Sequence, residues 1–144
     1  MYSLFKNKYV TALWIVVLCI AIFFVASEVF AEDFKAKLNL FERLVVMGLL
    51  PQTGNFATLK IVTEANLMLG PTDEESVIAG LDATPEGGVI AKYGWLAVPE
   101  KEFTFKETLL GIIKSALQKL EDEEKLTMEH YRVYQIFMIV EEGE

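Results

Sequence analysis

Nineteen consecutive residues, Tyr9 to Ser27, carry no charge, and that run constrains the chain more than anything after it. At about 1.5 Å rise per residue, a helix of this length covers roughly 28 Å, close to the thickness of a bilayer's hydrocarbon core. A helix packed into a small water-exposed domain has no need to be apolar on every side. The expected element is a transmembrane helix that meets the lipid bilayer through residues 9-27. The flanks do not orient it. Lys6 and Lys8 precede the run, while Lys35, Lys37 and Arg43 follow it, so the positive-inside bias favours neither side.

A second reading of the same segment is a signal peptide. Lys6 and Lys8 resemble a secretory n-region, and Val29-Phe30-Ala31 supplies small residues for cleavage after Ala31. The run exceeds the usual signal h-region of about 7 to 15 residues, and its Ile, Val, Leu and Phe favour stable insertion. A retained single-pass anchor is the first expectation, and a secreted or periplasmic domain released by cleavage is the alternative. Either way the chain divides into 1-31, anchor or signal, and 32-144, an acidic domain.

Residues 32-144 suffice for one hydrophobic core and are too few for two. They contain eleven Lys or Arg against twenty Asp or Glu, a net charge of −9. Binding to a phosphate backbone depends on clustered basic residues that release counterions, and no basic face stands out in the pattern, so no nucleic-acid partner is expected. Cys19, the only cysteine, lies inside the apolar run. Disulfides, thiolate metal sites and cysteine nucleophiles are thereby excluded from the domain.

Apolar periodicity organises the rest. Phe34, Leu38, Phe41, Val45 and Leu49 recur at three and four, which predicts an amphipathic helix that ends where Pro51 turns Leu50 away from helical geometry. Asn55 caps a second helix through Phe56, Leu59, Val62, Leu67 and Leu69. Ile61, Ala65 and Met68 widen its apolar surface, and Gly70-Pro71 stops it. Thr72-Asp73-Glu74-Glu75 is a capping box opening a short third helix to about Gly80. Between Leu81 and Phe105, glycines and prolines separate Val89–Tyr93 from Glu102–Phe105, which predicts a two- or three-stranded antiparallel sheet. Thr104 and Glu107 are the expected cap of a fourth helix with the stripe Leu109, Ile113, Ala116, Leu117 and Leu120. After Glu121–Lys125, Thr127 caps a fifth helix with Val133, Ile136, Phe137 and Val140 inward. The fold class expected is α+β, an N-terminal transmembrane helix followed by about five helices and a small antiparallel sheet. Each buried apolar side chain contributes roughly 1.5 to 3 kcal/mol against about 1 kcal/mol for a cap. Caps set the boundaries and the core holds the fold.

Three strings carry a resemblance. They are Leu50-Pro51-Gln52-Thr53-Gly54-Asn55-Phe56-Ala57-Thr58-Leu59-Lys60-Ile61, then Thr72-Asp73-Glu74-Glu75, then Lys125-Leu126-Thr127-Met128-Glu129-His130-Tyr131 with Tyr134 and Phe137. In their order and spacing they resemble a group of small uncharacterised proteins encoded by phage and prophage genomes. The resemblance spans roughly Leu38 to Phe137. It implies a compact α+β domain, brings no activity or site residues with it, and does not extend to the N-terminal apolar segment.

Candidate chemistry is sparse. Leu50-Pro51-Gln52-Thr53-Gly54 matches a sortase signal, but such signals precede a C-terminal apolar segment and basic tail, whereas here a helix stop, a turn and a cap account for the string. His130 is the only histidine, and a triad with it would need Ser76 or Ser115, neither in a nucleophile elbow. Glu121, Asp122, Glu123 and Glu124 lack the alternating ligand pattern of a calcium loop. Gly87-Gly88 precedes a strand and reads as a turn, not a phosphate cradle. Tyr93 and Trp95 are candidates for a ligand or partner surface, with core packing as the plainer role. The sequence designates no catalytic, cofactor-binding or metal-ligating residue. The expectation is a non-enzymatic, membrane-tethered accessory protein with a protein partner or self-association. A secreted binding domain is the alternative, and an enzyme resting on the acidic residues and His130 is the minor one.

Overall fold

The computed structural model describes residues 33–139. The expected span Tyr9–Ser27, the cleavage site at Ala31, and Val140 with the acidic tail lie outside the described residues. Among the described residues no helix is long and apolar enough to cross a membrane.

The domain is α+β, with five helices and two small antiparallel sheets among the described residues. Its order is β1 (Phe34–Leu38), α1 (Leu40–Leu49), α2 (Phe56–Leu69), α3 (Asp73–Ala79), β2 (Leu81–Ala83), β3 (Val89–Ala91), a 3₁₀ turn (Trp95–Ala97), β4 (Lys101–Phe105), α4 (Glu107–Asp122) and α5 (Met128–Met138).

The first departure from the sequence reading is β1. Phe34 to Leu38 is a strand, not the first turns of a helix, because Phe34, Ala36 and Leu38 turn inward while Lys35 and Lys37 stay exposed. That is the period of two of a half-buried strand. Asn39 then caps α1. Its Oδ1 accepts from the Glu42 amide at 2.9 Å, and Glu42 Oε2 accepts from the Asn39 amide at 2.8 Å, a reciprocal capping box. The buried face of α1 consists of Leu40, Glu42, Arg43 and Val46, so Phe41, Val45 and Leu49 are only half-buried.

The sheet also differs from expectation. Rather than one sheet within 81–105, β4 pairs with β1, Phe34 opposite Phe105 and Leu38 opposite Lys101, while β3 pairs with β2. The Phe103 and Phe105 side chains that mark β4 as a strand are buried on the face shared with Ala36 and Leu38. Thr104 lies within β4, and Lys106 occupies the N-cap of α4 without a side-chain cap bond. The expected Thr104 cap is therefore absent.

One core takes in both strands and the inward stripes of four helices. Val46 and Leu50 meet Val62, Ala65 and Leu69 of α2, Leu109, Ile113 and Leu117 of α4, and Val133 and Phe137 of α5. Phe105 and Phe137 meet edge to face, with ring centroids 5.0 Å apart and planes at 89°, the geometry favoured by the ring quadrupoles. A smaller cluster of Leu40, Ala79 and Val98 holds the β2–β3 hairpin and Trp95. The apolar surface of α2 is wide in sequence, yet the helix buries one narrow stripe of Val62, Ala65 and Leu69 and leaves Phe56 84% and Leu67 80% exposed.

Candidate functional site

Most of the chemically suggestive groups find a local partner. His130 stands at the third position of α5, where its Nδ1 accepts the Thr127 amide at 3.1 Å and lies 2.9 Å from Thr127 Oγ1. Accepting from an amide requires Nδ1 to be the unprotonated ring nitrogen, so the histidine takes the part that Glu plays in an ordinary capping box. Ser76 Oγ donates to the Thr72 carbonyl within α3, and Ser115 is exposed on α4. No bond joins either serine to His130.

The acidic run is likewise compensated at short range. Glu121 accepts from the Tyr134 hydroxyl, Asp122 from Gln118 at 3.0 Å, and Glu123 pairs with Lys125 at 2.7 Å. Lys125 also holds the Glu123 carboxyl below its ordinary range. Among the described residues no group of three His, Asp or Glu side chains is placed to hold a metal ion. Leu50 is the buried C-cap of α1, Pro51 to Gly54 form the connection, and the Asn55 side chain accepts the Thr58 amide at 2.9 Å. Gly87 and Gly88 close the hairpin turn, with the Thr84 hydroxyl accepting the Gly88 amide at 2.8 Å. Trp95 packs on Phe41 with centroids 5.4 Å apart, whereas Tyr93 remains 73% exposed.

The most organised polar constellation was hidden from sequence reasoning. Arg43 is fully buried, and its guanidinium spends every nitrogen inside the domain. Nε donates to the Leu69 carbonyl at 2.9 Å, and Nη2 donates to the Gly70 carbonyl at 2.8 Å. Nη1 and Nη2 reach the two Glu75 oxygens at 3.1 and 2.9 Å, the bidentate fork that suits a carboxylate. The Phe103 ring lies 5.4 Å from the guanidinium carbon. Lys101 also binds Glu75 Oε1. Arg43 hydrogen bonding lowers the Glu75 pKa to about 2, against an opposing push from burial, and Lys101 and the Thr72 amide add to the lowering. Next to this pair, Glu42 Oε1 is buried without an aligned hydrogen bond, and Arg132 Nε lies 2.6 Å from it. Four of the five guanidinium N–H donors are spent on these carbonyls and the carboxylate, and the whole group is buried, so it is committed to the fold. This constellation fastens α1, the end of α2 and the start of α3 together.

The signal for it was present. Leu40, Arg43 and Leu50 fall at spacings of three and seven, so a helix beginning at Leu40 rather than Phe34 puts Arg43 on the core side.

The surface offers concave ground instead. A groove of about 820 Å³ is lined by Phe41 and Val45 of α1, Asn66 of α2, Val89 and Trp95 of the hairpin region, and the start of α5 at Glu129. A lining that mixes apolar and aromatic side chains with a few polar ones suits a side chain or short segment of another molecule. A second concavity of about 480 Å³ lies between β1 and α5. Comparison with protein-family models, curated proteins and solved structures finds no match.

Proposed function

We propose that this chain is a membrane-tethered accessory protein of phage or prophage origin, anchored through residues 9-27, whose acidic domain binds a protein partner without catalysing a reaction. The uncharged run Tyr9–Ser27 carries this reading, since nineteen residues of that composition match a bilayer span. The groove beside Phe41 and Trp95 supports the binding role, and the strings from Leu50 and from Lys125 support the phage origin. The alternative, a secreted domain released after Ala31, rests on Lys6, Lys8 and Val29-Phe30-Ala31. Expression in a bacterium with the native N-terminus, followed by fractionation and intact mass, separates the two. The anchored reading expects a species near 16.3 kDa that stays with membranes after a high-salt wash. A salt-soluble product beginning at Glu32 would replace it with the secreted one.

A further inference from the structure

The β1–β4 sheet has two strands, so among the described residues β1 pairs along one edge only. An unpaired edge presents a row of amide and carbonyl groups that can template another strand. The 480 Å³ groove is lined by residues 34–37 of β1, by Arg132, Gln135 and Ile136 of α5 and by Ile139 just past its end, with no residue of β4. It therefore lies on the side of β1 away from β4. Gln135 and Ile136 follow Arg132 at three and four, on one stripe of the helix.

Charge adds a second, independent observation. Lys35 and Lys37 are exposed, and among the described residues neither forms an ion pair. Arg132 is already answered by Glu42 and by Glu100 at 2.9 Å. Lys35 and Lys37 give this groove positive charge, Lys37 also facing Glu102 across the β1–β4 ladder, in a domain whose net charge is −9.

We propose that the groove takes an extended acidic peptide segment of a partner protein, added as a strand to the edge of β1 opposite β4. This rests on the reading of the domain as a binding module and is independent of whether the anchor is retained. A strand laid along β1 alternates its side chains between two faces. Those beside Lys35 and Lys37 are Asp or Glu, and those turned toward Ala36, Ile136 and Ile139 are small or branched apolar residues. The existing ladder follows the same rule, with Lys37 opposite Glu102 and Ala36 opposite Phe103. Main-chain bonds supply affinity in this mode, and the alternating side chains supply choice of partner.

The test is fluorescence anisotropy on the full chain in detergent micelles, with labelled peptides of about eight residues, a typical strand length. The probes are an alternating Glu/Val peptide, its Lys/Val counterpart, and the Glu/Val peptide N-methylated at alternate amides. The Glu/Val peptide is expected to bind and to weaken with added salt, and the Lys/Val peptide is expected not to bind. N-methylation on the bonding register and the double substitution Lys35→Glu, Lys37→Glu should each lower affinity at least tenfold. Lys35→Arg with Lys37→Arg should retain it. An unchanged circular dichroism spectrum and melting temperature in the Glu variant would show that the fold survives. Failure of the Glu/Val peptide to bind would overturn the proposal, as would binding indifferent to the lysines or to N-methylation. A tenfold gain on removing residues 141–144 would overturn it too, by making the chain's own acidic tail the occupant. Fractionation decides the anchor separately.

Discussion

Arg43 is the largest fully buried side chain in the domain, and its energetics follow from what it would leave behind. Arg43→Ala leaves the Glu75 carboxylate with Lys101 and the Thr72 amide only and uncovers the Leu69 and Gly70 carbonyls. Breaking a buried pair in this way costs about 3–5 kcal/mol, which urea denaturation should read as a lowered midpoint with little change in slope. The pH dependence has a definite sign. The Glu75 carboxyl moves from its ordinary 4.5 when unfolded to about 2 when folded, so its contribution is fully present above 4.5. It is lost as pH falls from 4.5 through 2. The shift corresponds to on the order of 3 kcal/mol, and Glu75→Gln should flatten the stability profile across that acid window. Denaturant midpoints measured between pH 5 and pH 2 check this, and an equally steep loss in the Gln variant would assign the acid sensitivity to other carboxylates.

At the scale of elements, two positions with left-handed backbone make opposite predictions. Gly80 ends α3 at φ 62°, and a Cβ there would come within 2.7 Å of the Tyr93 ring. Any side chain meets a disfavoured conformation and, in addition, the largely exposed Tyr93 ring, which would have to move aside. Gly80→Ala should therefore destabilise by at least the 1–2 kcal/mol of left-handed backbone. Glu124 holds φ 52° at the end of α4, where its amide bonds the Glu121 carbonyl at 2.9 Å and the Lys125 amide bonds Leu120 at 2.7 Å. This is a Schellman termination with glutamate where glycine is usual. Glu124→Gly should stabilise by about 1 kcal/mol, and thermal melts of the two variants should move in opposite directions. Elements governed by such local chemistry were legible in the sequence. The Thr72 box, the Asn55 cap and the stop at Pro51 all stand where the residue types put them. The strand Phe34–Leu38 was not, because Phe34 and Leu38 satisfy a spacing of four as well as of two, and only a distant partner decides between them.

Across the whole molecule, legibility falls with sequence separation. The α+β class, the five helices and the α4 stripe Leu109, Ile113 and Leu117 follow from periodicity within each segment. The pairing of β1 with β4, the separation into two sheets and the choice of Glu75 as the partner of Arg43 depend on residues tens of positions away, and no local pattern encodes which partner each takes. The same holds for the site. The turn at Gly87-Gly88 and the cap at Thr127 could be read directly, whereas the groove beside β1 exists only because α5 returns to it.

The long reach between the two strands of the central sheet also governs how the domain is made. Sixty-two residues separate Leu38 from Lys101, and a ribosome adding roughly 5–20 residues per second needs about 3 to 12 s to supply them. Throughout that interval β1 has neither of its edges covered by β4, while Phe34, Ala36 and Leu38 lack the core they later share. Lys35 and Lys37 interrupt this apolar series at every second residue, which is how natural sequences keep an unsatisfied strand from joining its copies on neighbouring nascent chains. The same two lysines are therefore suited to guarding the strand while it waits for its partner.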